Sequence, residues 1–225
     1  MTAVFVTATG TDIGKTFVTA GLIRHFRTAG RAVAAIKPVV SGFDPAAWEG
    51  SDPAVLLAAL ARPVALEEVE RISPWRFKAP LSPDMAARRE GRAIAFEEVV
   101  EFCRRSMASR SGVLLIEGIG GVMVPLDERH TVLDWMSVLR IPVIVVTGSY
   151  VGALSHTFTA LEVLARRNLD VAAVVVSESE DSAAPLADTM ATVQHFVGPM
   201  DVVALPRQAP GASEHPAFAR IAALV

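Results

Sequence analysis

Residues near the start of the chain have the types and the order that bind polyphosphates. Gly14, Lys15 and Thr16 follow a short apolar run at 4–6 and lead into the amphipathic stretch FVTAGLIRHF. A glycine-bearing loop between a strand and a helix surrounds phosphate with backbone N–H groups and the positive end of the helix. The lysine of such a loop reaches the β- and γ-phosphates, and the threonine hydroxyl binds Mg²⁺. The pattern therefore predicts a phosphate-binding loop at 4–16.

The start of this loop departs from the usual glycine spacing. Thr9 stands at the first glycine position, Ala8 precedes it, and Gly10 is the early glycine. Asp12 places a carboxylate inside the loop, where it would meet phosphate charge unless a metal ion, a lysine or a cationic substrate lay beside it. The alternative is a plain strand–turn–helix connection with a solvated lysine and a solvent-facing acid, but the context favours the phosphate site.

Further polar side chains follow strand-like runs. Lys37 ends VAAI, Ser41 comes soon after it, and Glu117 ends GVLLI. Ligands of parallel sheets bind beyond the carboxyl ends of the strands, so these residues are candidate ligand contacts. Glu117 and Asp52 are candidate Mg²⁺ ligands, because this ion prefers hard oxygen atoms. The alternatives are a surface lysine, a turn carboxylate, and an acid at Asp52 that only stabilises the first turn of a helix.

Composition restricts the class of protein. The 225 residues are 52% hydrophobic and 20% charged, which is typical of a globular chain. A formal net charge of −3 argues against a general nucleic-acid or membrane-surface binder. Cys103 is the one cysteine, so we expect a small buried side chain rather than a disulfide or a reactive thiol. With no signal-like segment and no apolar run of the roughly 18 residues that a membrane span needs, we expect a cytoplasmic protein.

Apolar runs alternate with amphipathic segments along the chain. Strands are predicted at 4–6, 33–39, 112–118, 142–148, 171–177 and 202–206. Helices are predicted at 15–29, from 51, from 82 to about 91, and at 96–109, 131–140, 152–168 and 216–223, with irregular structure at 63–81. Such alternation produces right-handed βαβ units and a mostly parallel sheet. We therefore predict one α/β catalytic domain over residues 1–225.

Together these motifs resemble the dethiobiotin synthetase family over nearly the whole chain. The resemblance rests on VTATGTDIGKT, IKPVVSG, Ser51-Asp52, Pro80-Leu81-Ser82-Pro83, IEGIGG followed by Pro125-Leu126, and PVIVVTG leading into VGALSHT. The order and spacing of IKPVVSG and EGIGG are more specific than the phosphate loop alone. The resemblance implies a P-loop NTPase-like three-layer α/β sandwich with a mostly parallel central sheet.

The resemblance also implies a reaction. One amine of 7,8-diaminononanoate takes up CO₂, supplied with bicarbonate, as a carbamate, and the carbamate oxygen attacks the γ-phosphate of ATP. The second amine then closes the carbamic–phosphoric anhydride to dethiobiotin, and ADP and phosphate are released. The implied cofactors are ATP and Mg²⁺. The implied assembly is a homodimer in which the helix beginning near Val151 presents its N-terminus to the substrate carboxylate of the partner's site, with no nucleic-acid or membrane partner.

Roles for single residues follow from the same resemblance. The implied catalytic residues are Lys37, Lys15, Thr11 and Ser41, and the implied metal ligands are Thr16, Asp52 and Glu117. The implied nucleotide contacts are Asp12, Ile13, Gly14, Lys15, Thr16, Phe17, Glu117, Gly118, Gly120, Gly121, Ser177 and Pro206. The implied substrate contacts are Thr11, Asp12, Lys37, Ser41, Pro80, Gly118 and Gly152.

Several positions depart from the family pattern. Ala8 stands where glycine is usual, and Asp12 where glutamate is frequent. Tyr150 and Ser155 replace a basic residue and an asparagine near the implied carboxylate contact, and Ser177 replaces a purine-recognising asparagine. The choice of nucleotide and the role of Asp12 therefore stay open.

Two other classes of P-loop protein compete with this interpretation. A partitioning or septum-positioning ATPase switch shares the sheet but usually carries a second lysine early in the loop, and no lysine precedes Lys15 here. A small-molecule kinase would release a stable phosphorylated product instead of a cyclic urea.

Overall fold

A parallel sheet forms the centre of the protein in a computed structural model that describes residues 2–109, 111–180, 182–208 and 215–225. The strands are β1 (Thr2–Ala8), β2 (Val33–Ile36), β3 (Val39–Ser41), β4 (Trp75–Phe77), β5 (Val113–Glu117), β6 (Val143–Gly148), β7 (Val171–Ser177) and β8 (Val202–Leu205). Six of them form the main sheet in the order β2-β5-β1-β6-β7-β8, and β3 pairs with β4 separately. Each described pairing is parallel, so the predicted parallel sheet is confirmed.

The central strands are covered on both faces. All five residues of β5 are buried, and Val4, Phe5 and Val6 of β1 have no exposed surface. Continuous apolar runs of this kind are typical of strands between two helical layers. Because β1 lies between β5 and β6, the loop that follows β1 emerges at the middle of the sheet edge.

Helices cover both sides of the sheet. They are α1 (Lys15–Thr28), α2 (Asp52–Ala59), α3 (Leu66–Ile72), α4 (Pro83–Arg89), α5 (Phe96–Ala108), α6 (Val132–Leu139), α7 (Ala153–Arg166), α8 (Leu186–Val197) and α9 (Pro216–Ala222), with a 3₁₀ turn at Trp48–Gly50. The packing of α1 against α9 depends on Gly21, since a Cβ there would lie 2.1 Å from the ring of Phe218. Within the described ranges, no helix is long and apolar enough to cross a membrane.

The predicted strand at 33–39 is shorter than expected. It ends at Ile36, and Val39–Ser41 belongs to the separate pair with β4. Pro38 has no N–H group for a ladder hydrogen bond, so the main sheet loses this strand at Lys37 and Pro38. The N–H of Lys37 instead donates to the carbonyl of Ile72 at 3.1 Å. Lys37 therefore lies directly after the carboxyl end of β2, where ligands of parallel sheets bind.

The prediction of irregular structure at 63–81 is wrong. This stretch contains α3 and β4, and its prolines at 63, 74 and 80 lie outside both elements. The prolines therefore mark boundaries and do not prevent the short elements between them. The prediction also left out α8, although Leu186, Met190, Val193 and Val197 recur at helical spacing and pack in or against the core.

Cys103 has the expected structural role. Its side chain lies in α5 with no exposed surface. Burial raises the pKa of the thiol to about 12, while a contact with Trp135 opposes this shift. The expectation of a small buried side chain is confirmed.

Candidate active site

The phosphate loop between β1 and α1 is shaped by two residues with left-handed backbone. Asp12 has φ 57° and Gly14 has φ 98°. Aspartate adopts this region more readily than most residues, whereas Gly14 also lacks room for a side chain, because its Cβ would lie 3.0 Å from the Ser177 hydroxyl. Lys15 donates from Nζ to the Gly10 carbonyl at 2.9 Å and so closes the loop on itself.

The residues before the loop explain the unusual glycine spacing. Ala8 ends β1 and is fully buried, and the Thr9 N–H still donates to the Val146 carbonyl at 3.0 Å. The Thr9 hydroxyl is 3.2 Å from that of Thr147. β1 ends at Ala8 and the chain bends from Thr9, but neither residue has a positive φ, so neither needs the backbone freedom of glycine.

A buried charge cluster lies next to the loop. Lys37 donates from Nζ to Glu117 Oε1 at 2.6 Å and also forms an ion pair with Asp52. The Thr16 hydroxyl donates to the same Glu117 oxygen at 2.6 Å. Lys37 is 3% exposed and Glu117 is 0% exposed, whereas the Asp52 carboxylate is half-exposed. The ends of β2 and β5 and the starts of α1 and α2 thus bring together four residues that the sequence singled out.

Burial and charge shift the pKa values in this cluster. Burial alone would lower the pKa of Lys37, but the carboxylates of Glu117 and Asp52 outweigh it and raise the pKa above its ordinary value. Burial likewise opposes the low pKa of Asp52, which Lys37 produces. Burial, helped by the charge of Lys37, lowers the pKa of Lys15 to about 8. The carboxylates of the cluster therefore favour the charged form of Lys37, and a phosphate bound at Lys15 would raise the pKa of that lysine.

One oxygen of the cluster has no partner. Glu117 Oε2 is buried and accepts no hydrogen bond within the described residues. A buried carboxylate oxygen without a partner is unfavourable, so the site suits an additional cation or donor. The hydroxyl of Thr16 and the carboxylates of Asp52 and Glu117 are hard ligands that fit Mg²⁺. Among the described residues, no three His, Cys, Asp or Glu side chains lie together as a metal site. Phosphate and water oxygens would therefore complete the coordination of Mg²⁺.

A cavity of about 690 Å³ opens beside this cluster. The predicted site residues that line it are Thr11, Asp12, Gly14, Lys15, Thr16, Phe17, Lys37, Ser41, Asp52, Pro80 and Gly120. The lining residues that were not predicted are Val40, Leu81, Ser82, Pro83, Ile119 and Val124. They lie within or next to the motifs at 36–42, 80–83 and 116–121, so the same motifs could have indicated them.

A second cavity of about 370 Å³ lies on the other side of the phosphate loop. It is lined by Asp12, Ile13, Gly14 and Phe17 and by residues that follow β7 and β8, namely Ser177, Glu178, Ser179, Glu180, Pro206, Arg207 and Gln208. Ile13, Ser177 and Pro206 were predicted as site residues. Asp12, Gly14 and Phe17 were predicted too. The residues that were missed are Glu178, Ser179, Glu180, Arg207 and Gln208, although their position after two strand ends was a usable signal.

Three of the predicted glycines do not line either cavity. A Cβ at Gly118 would lie 2.8 Å from the Phe5 ring, and one at Gly121 would lie 3.1 Å from the Thr9 carbonyl oxygen. Both therefore allow close packing against β1 and the phosphate loop. Gly152 precedes α7 with φ 102°. Contacts of these three glycines with nucleotide or substrate stay predictions.

Comparison with known proteins places the chain in a family. A family model described as an AAA domain matches residues 2–212. The ATP-dependent dethiobiotin synthetase BioD of Acidiphilium cryptum (strain JF-5) is 46% identical over 199 residues, which cover 88% of this chain and 89% of the relative. The protein of the same name from Caulobacter sp. (strain K31) is 51% identical over 183 residues, which cover 81% and 78%. The chain belongs to the dethiobiotin synthetase family. The resemblance inferred from the motifs is thus confirmed.

Solved structures extend the comparison to the fold. The septum site-determining protein MinD of Pyrococcus horikoshii OT3 is 19% identical with a TM-score of 0.52, and the match covers 98% of this chain and 94% of that chain. The cell division ATPase MinD of Pyrococcus furiosus gives the same TM-score at 17% identity, with 100% and 98% covered. The chain therefore has the P-loop NTPase-like fold that was predicted.

Proposed function

We propose that this protein is an ATP- and Mg²⁺-dependent dethiobiotin synthetase, a ligase of biotin biosynthesis that acts in the cytoplasm as a single catalytic domain. The observation that carries the proposal is Lys37, a buried cation held between Glu117 and Asp52 at the edge of a large cavity. The names of the family relatives support the same assignment.

The proposed reaction is a carboxylation followed by ring closure. An amine of 7,8-diaminononanoate adds to CO₂ and loses a proton, giving a carbamate. A carbamate oxygen attacks the γ-phosphorus of ATP, and the bond to ADP breaks. The second amine then attacks the carbonyl carbon of the anhydride and loses a proton, and phosphate leaves. Phosphoryl transfer of this kind depends mainly on positioning and on neutralising charge.

The residues of the large cavity fit these requirements. Lys15 and Lys37 would neutralise the anionic oxygens of phosphate and carbamate, and Thr11 and Ser41 would donate hydrogen bonds to them. Thr16, Asp52 and Glu117 would hold Mg²⁺, which when bound neutralises negative charge on the triphosphate. The Asp12 carboxylate is negative and would attract the positively charged amines of the substrate. We therefore place the amines at the side of the large cavity that Asp12 lines.

Five further predicted contacts are proposed to serve the nucleotide base or a partner subunit. Ile13, Phe17, Ser177 and Pro206 line the second cavity, where we place the base and ribose of the nucleotide. Gly152 lies outside both cavities of its own chain. We therefore infer that the turn before α7 contacts the substrate carboxylate in the site of a second copy, within a homodimer.

The test is mass spectrometry of a reaction with 7,8-diaminononanoate, bicarbonate, Mg²⁺ and ATP, while phosphate release is followed. We expect the cyclic urea and phosphate in equal amounts. Lys37→Ala should lower the rate by at least about 100-fold, because a preorganised cation at the transferring group is lost. Lys78→Ala is the matched control, since Lys78 is the remaining lysine of the chain and is exposed away from the large cavity.

Other products would contradict the proposal. A stable phosphorylated diamine would identify a kinase. No product, together with nucleotide-dependent binding to DNA, a membrane or a protein, would identify an ATPase switch. Full activity of Lys37→Ala would remove the central role given to Lys37.

A further inference from the structure

Ser149 directly follows β6. Its N–H, hydroxyl and carbonyl groups are all hydrogen-bonded to the segment that follows β7. Its N–H donates to the Ser179 hydroxyl at 3.1 Å, and the Ser179 N–H donates back to the Ser149 hydroxyl at 3.0 Å. The Ser182 hydroxyl donates to the Ser149 carbonyl. Ser149 is 1% exposed, and neither cavity is lined by it. The reaction above gives this residue no role.

The reciprocal pair continues the sheet beyond its last backbone contact. The pairing of β6 with β7 ends at Gly148 and Ser177, and Ser149 and Ser179 join the two chains just beyond it, each through its backbone N–H and its hydroxyl. A Cβ at Gly148 would lie 2.6 Å from the Ser179 hydroxyl oxygen. The glycine therefore leaves the space that the Ser179 hydroxyl occupies.

Residues 177–180 form a wall of the second cavity. This wall is also held from the opposite side, where the Glu178 N–H donates to the Leu205 carbonyl at 2.9 Å. The Glu178 carboxylate accepts a hydrogen bond from the Arg207 N–H at 2.8 Å. Loss of the serine pair would thus leave the wall folded but release it at Ser179.

We propose that Ser149 is a positioning residue for the base end of the nucleotide and that it acts through Ser179. The proposal rests on the proposed function, in which the second cavity takes the base. A wall that is ordered before the ligand arrives binds more tightly than one that must be ordered on binding. The phosphate end lies against Gly14, Lys15 and Thr16, which the serine pair does not touch. Ser149 therefore affects binding of the base and not of the triphosphate.

The test compares two ligands, ATP and inorganic tripolyphosphate, by calorimetric titration of the full chain. Ser149→Ala removes the hydroxyl that accepts from the Ser179 N–H and leaves this backbone donor unpaired, which should weaken ATP binding about tenfold. The dissociation constant for tripolyphosphate should stay within about twofold of wild type, and the KM for ATP should rise without a matching fall in kcat. The matched control is Ser137→Ala, a half-buried serine whose hydroxyl donates to the Leu133 carbonyl on α6, far along the chain from the cavity wall.

A double-mutant cycle with Ser179→Ala tests whether the two serines act as a pair or whether each substitution loosens the protein independently. Ser149→Ala removes the hydrogen bond from the Ser179 N–H, and Ser179→Ala removes the one from the Ser149 N–H. Because both bonds hold the same segment, the double variant should weaken ATP binding by less than the sum of the two single effects. Unchanged ATP binding in Ser149→Ala overturns the proposal, and so does equal weakening of ATP and tripolyphosphate. If wild type binds neither ligand, the proposed function fails instead. A thermal melt of each variant confirms that the protein compared is folded.

Discussion

At the scale of single residues, Asp12 has two separable properties. Its backbone is left-handed, with φ 57°, and its carboxylate is exposed at the edge of both cavities. Asp12→Gly removes the carboxylate and keeps the backbone relaxed, whereas Asp12→Ala removes the carboxylate and strains the backbone. We expect Asp12→Ala to be less stable than Asp12→Gly by about 1 kcal/mol of unfolding free energy, measured by urea denaturation.

The same two variants test the carboxylate. If it attracts the diamine, both should raise the KM for 7,8-diaminononanoate by about fivefold, as the loss of one polar contact does. Asp12→Asn is the control for shape, because asparagine also tolerates the left-handed region. A KM unchanged in all three variants would leave the backbone as the only reason for aspartate at this position.

The residues of the charge cluster could be predicted better than their arrangement. Motif and strand-end arguments selected Thr16, Lys37, Asp52 and Glu117, and the structure brings these four together. The sequence did not indicate that Lys37 bridges both carboxylates. That contact depends on the direction of side chains at two strand ends and on the break at Pro38, which local patterns do not determine.

At the scale of elements, the start of α6 offers a clear prediction of pH dependence. The Asp134 carboxylate accepts hydrogen bonds from the Thr131 N–H at 2.9 Å and the Thr131 hydroxyl at 2.8 Å, which completes a capping box. Burial alone would raise the pKa of Asp134, but these hydrogen bonds and Arg167 lower it below 3.8. The charged form is thus favoured in the folded protein. Its stabilisation is present above pH 3.8 and is lost as pH falls through the folded pKa.

Asp134→Asn should therefore lower the unfolding free energy by about 1 kcal/mol at pH 7, since a helix cap is weakened. The difference from wild type should shrink as the pH falls below 3.8, because the wild-type carboxyl is protonated as the pH passes through its lowered pKa. Asp170→Asn is the control, because Asp170 is exposed at the turn before β7 and is not part of the cap. Denaturant melts from pH 7 to pH 3 measure both. A constant difference across this range would contradict the role of the charge.

Elements with strong local patterns were predicted well, and those that depend on distant contacts were not. The buried runs of β5 and β6 and the helix α1 stood out by composition and period. The pair of β3 and β4 joins Val39 to Trp75, so neither short strand is formed without a distant partner. Periodicity within a few residues cannot report such a pairing.

At the scale of the whole molecule, the strand order divides the site into two regions. The loops after β2 and β5 lie on one side of the phosphate loop and, together with it, build the charge cluster with its large cavity. The loops after β7 and β8 lie on the other side and build the second cavity. The phosphate loop lies between the two because β1 is central. This arrangement fits the proposed binding of one nucleotide, with its base on one side of the phosphate loop and its reacting phosphate on the other.

The turn before α7 follows β6 but lines neither cavity, so its proposed role requires a second copy of the chain. Val151 in this turn is 82% exposed, and a charge there would be tolerated by the fold. Val151→Asp should repel the substrate carboxylate and raise the KM for the diamine at least about tenfold, whereas Val151→Asn should not. Lys37→Ala inactivates the other half of the proposed site.

Mixing these two defective variants tests whether the site is shared between subunits. In a mixed dimer, one site receives both substitutions and the other receives neither. Random exchange of subunits should therefore restore about one quarter of wild-type activity, measured at a diamine concentration that leaves Val151→Asp inactive. Each variant mixed with itself is the control. If the mixture stays inactive although exchange is demonstrated with labelled subunits, the turn before α7 does not serve the partner's site, and each chain must complete its site alone.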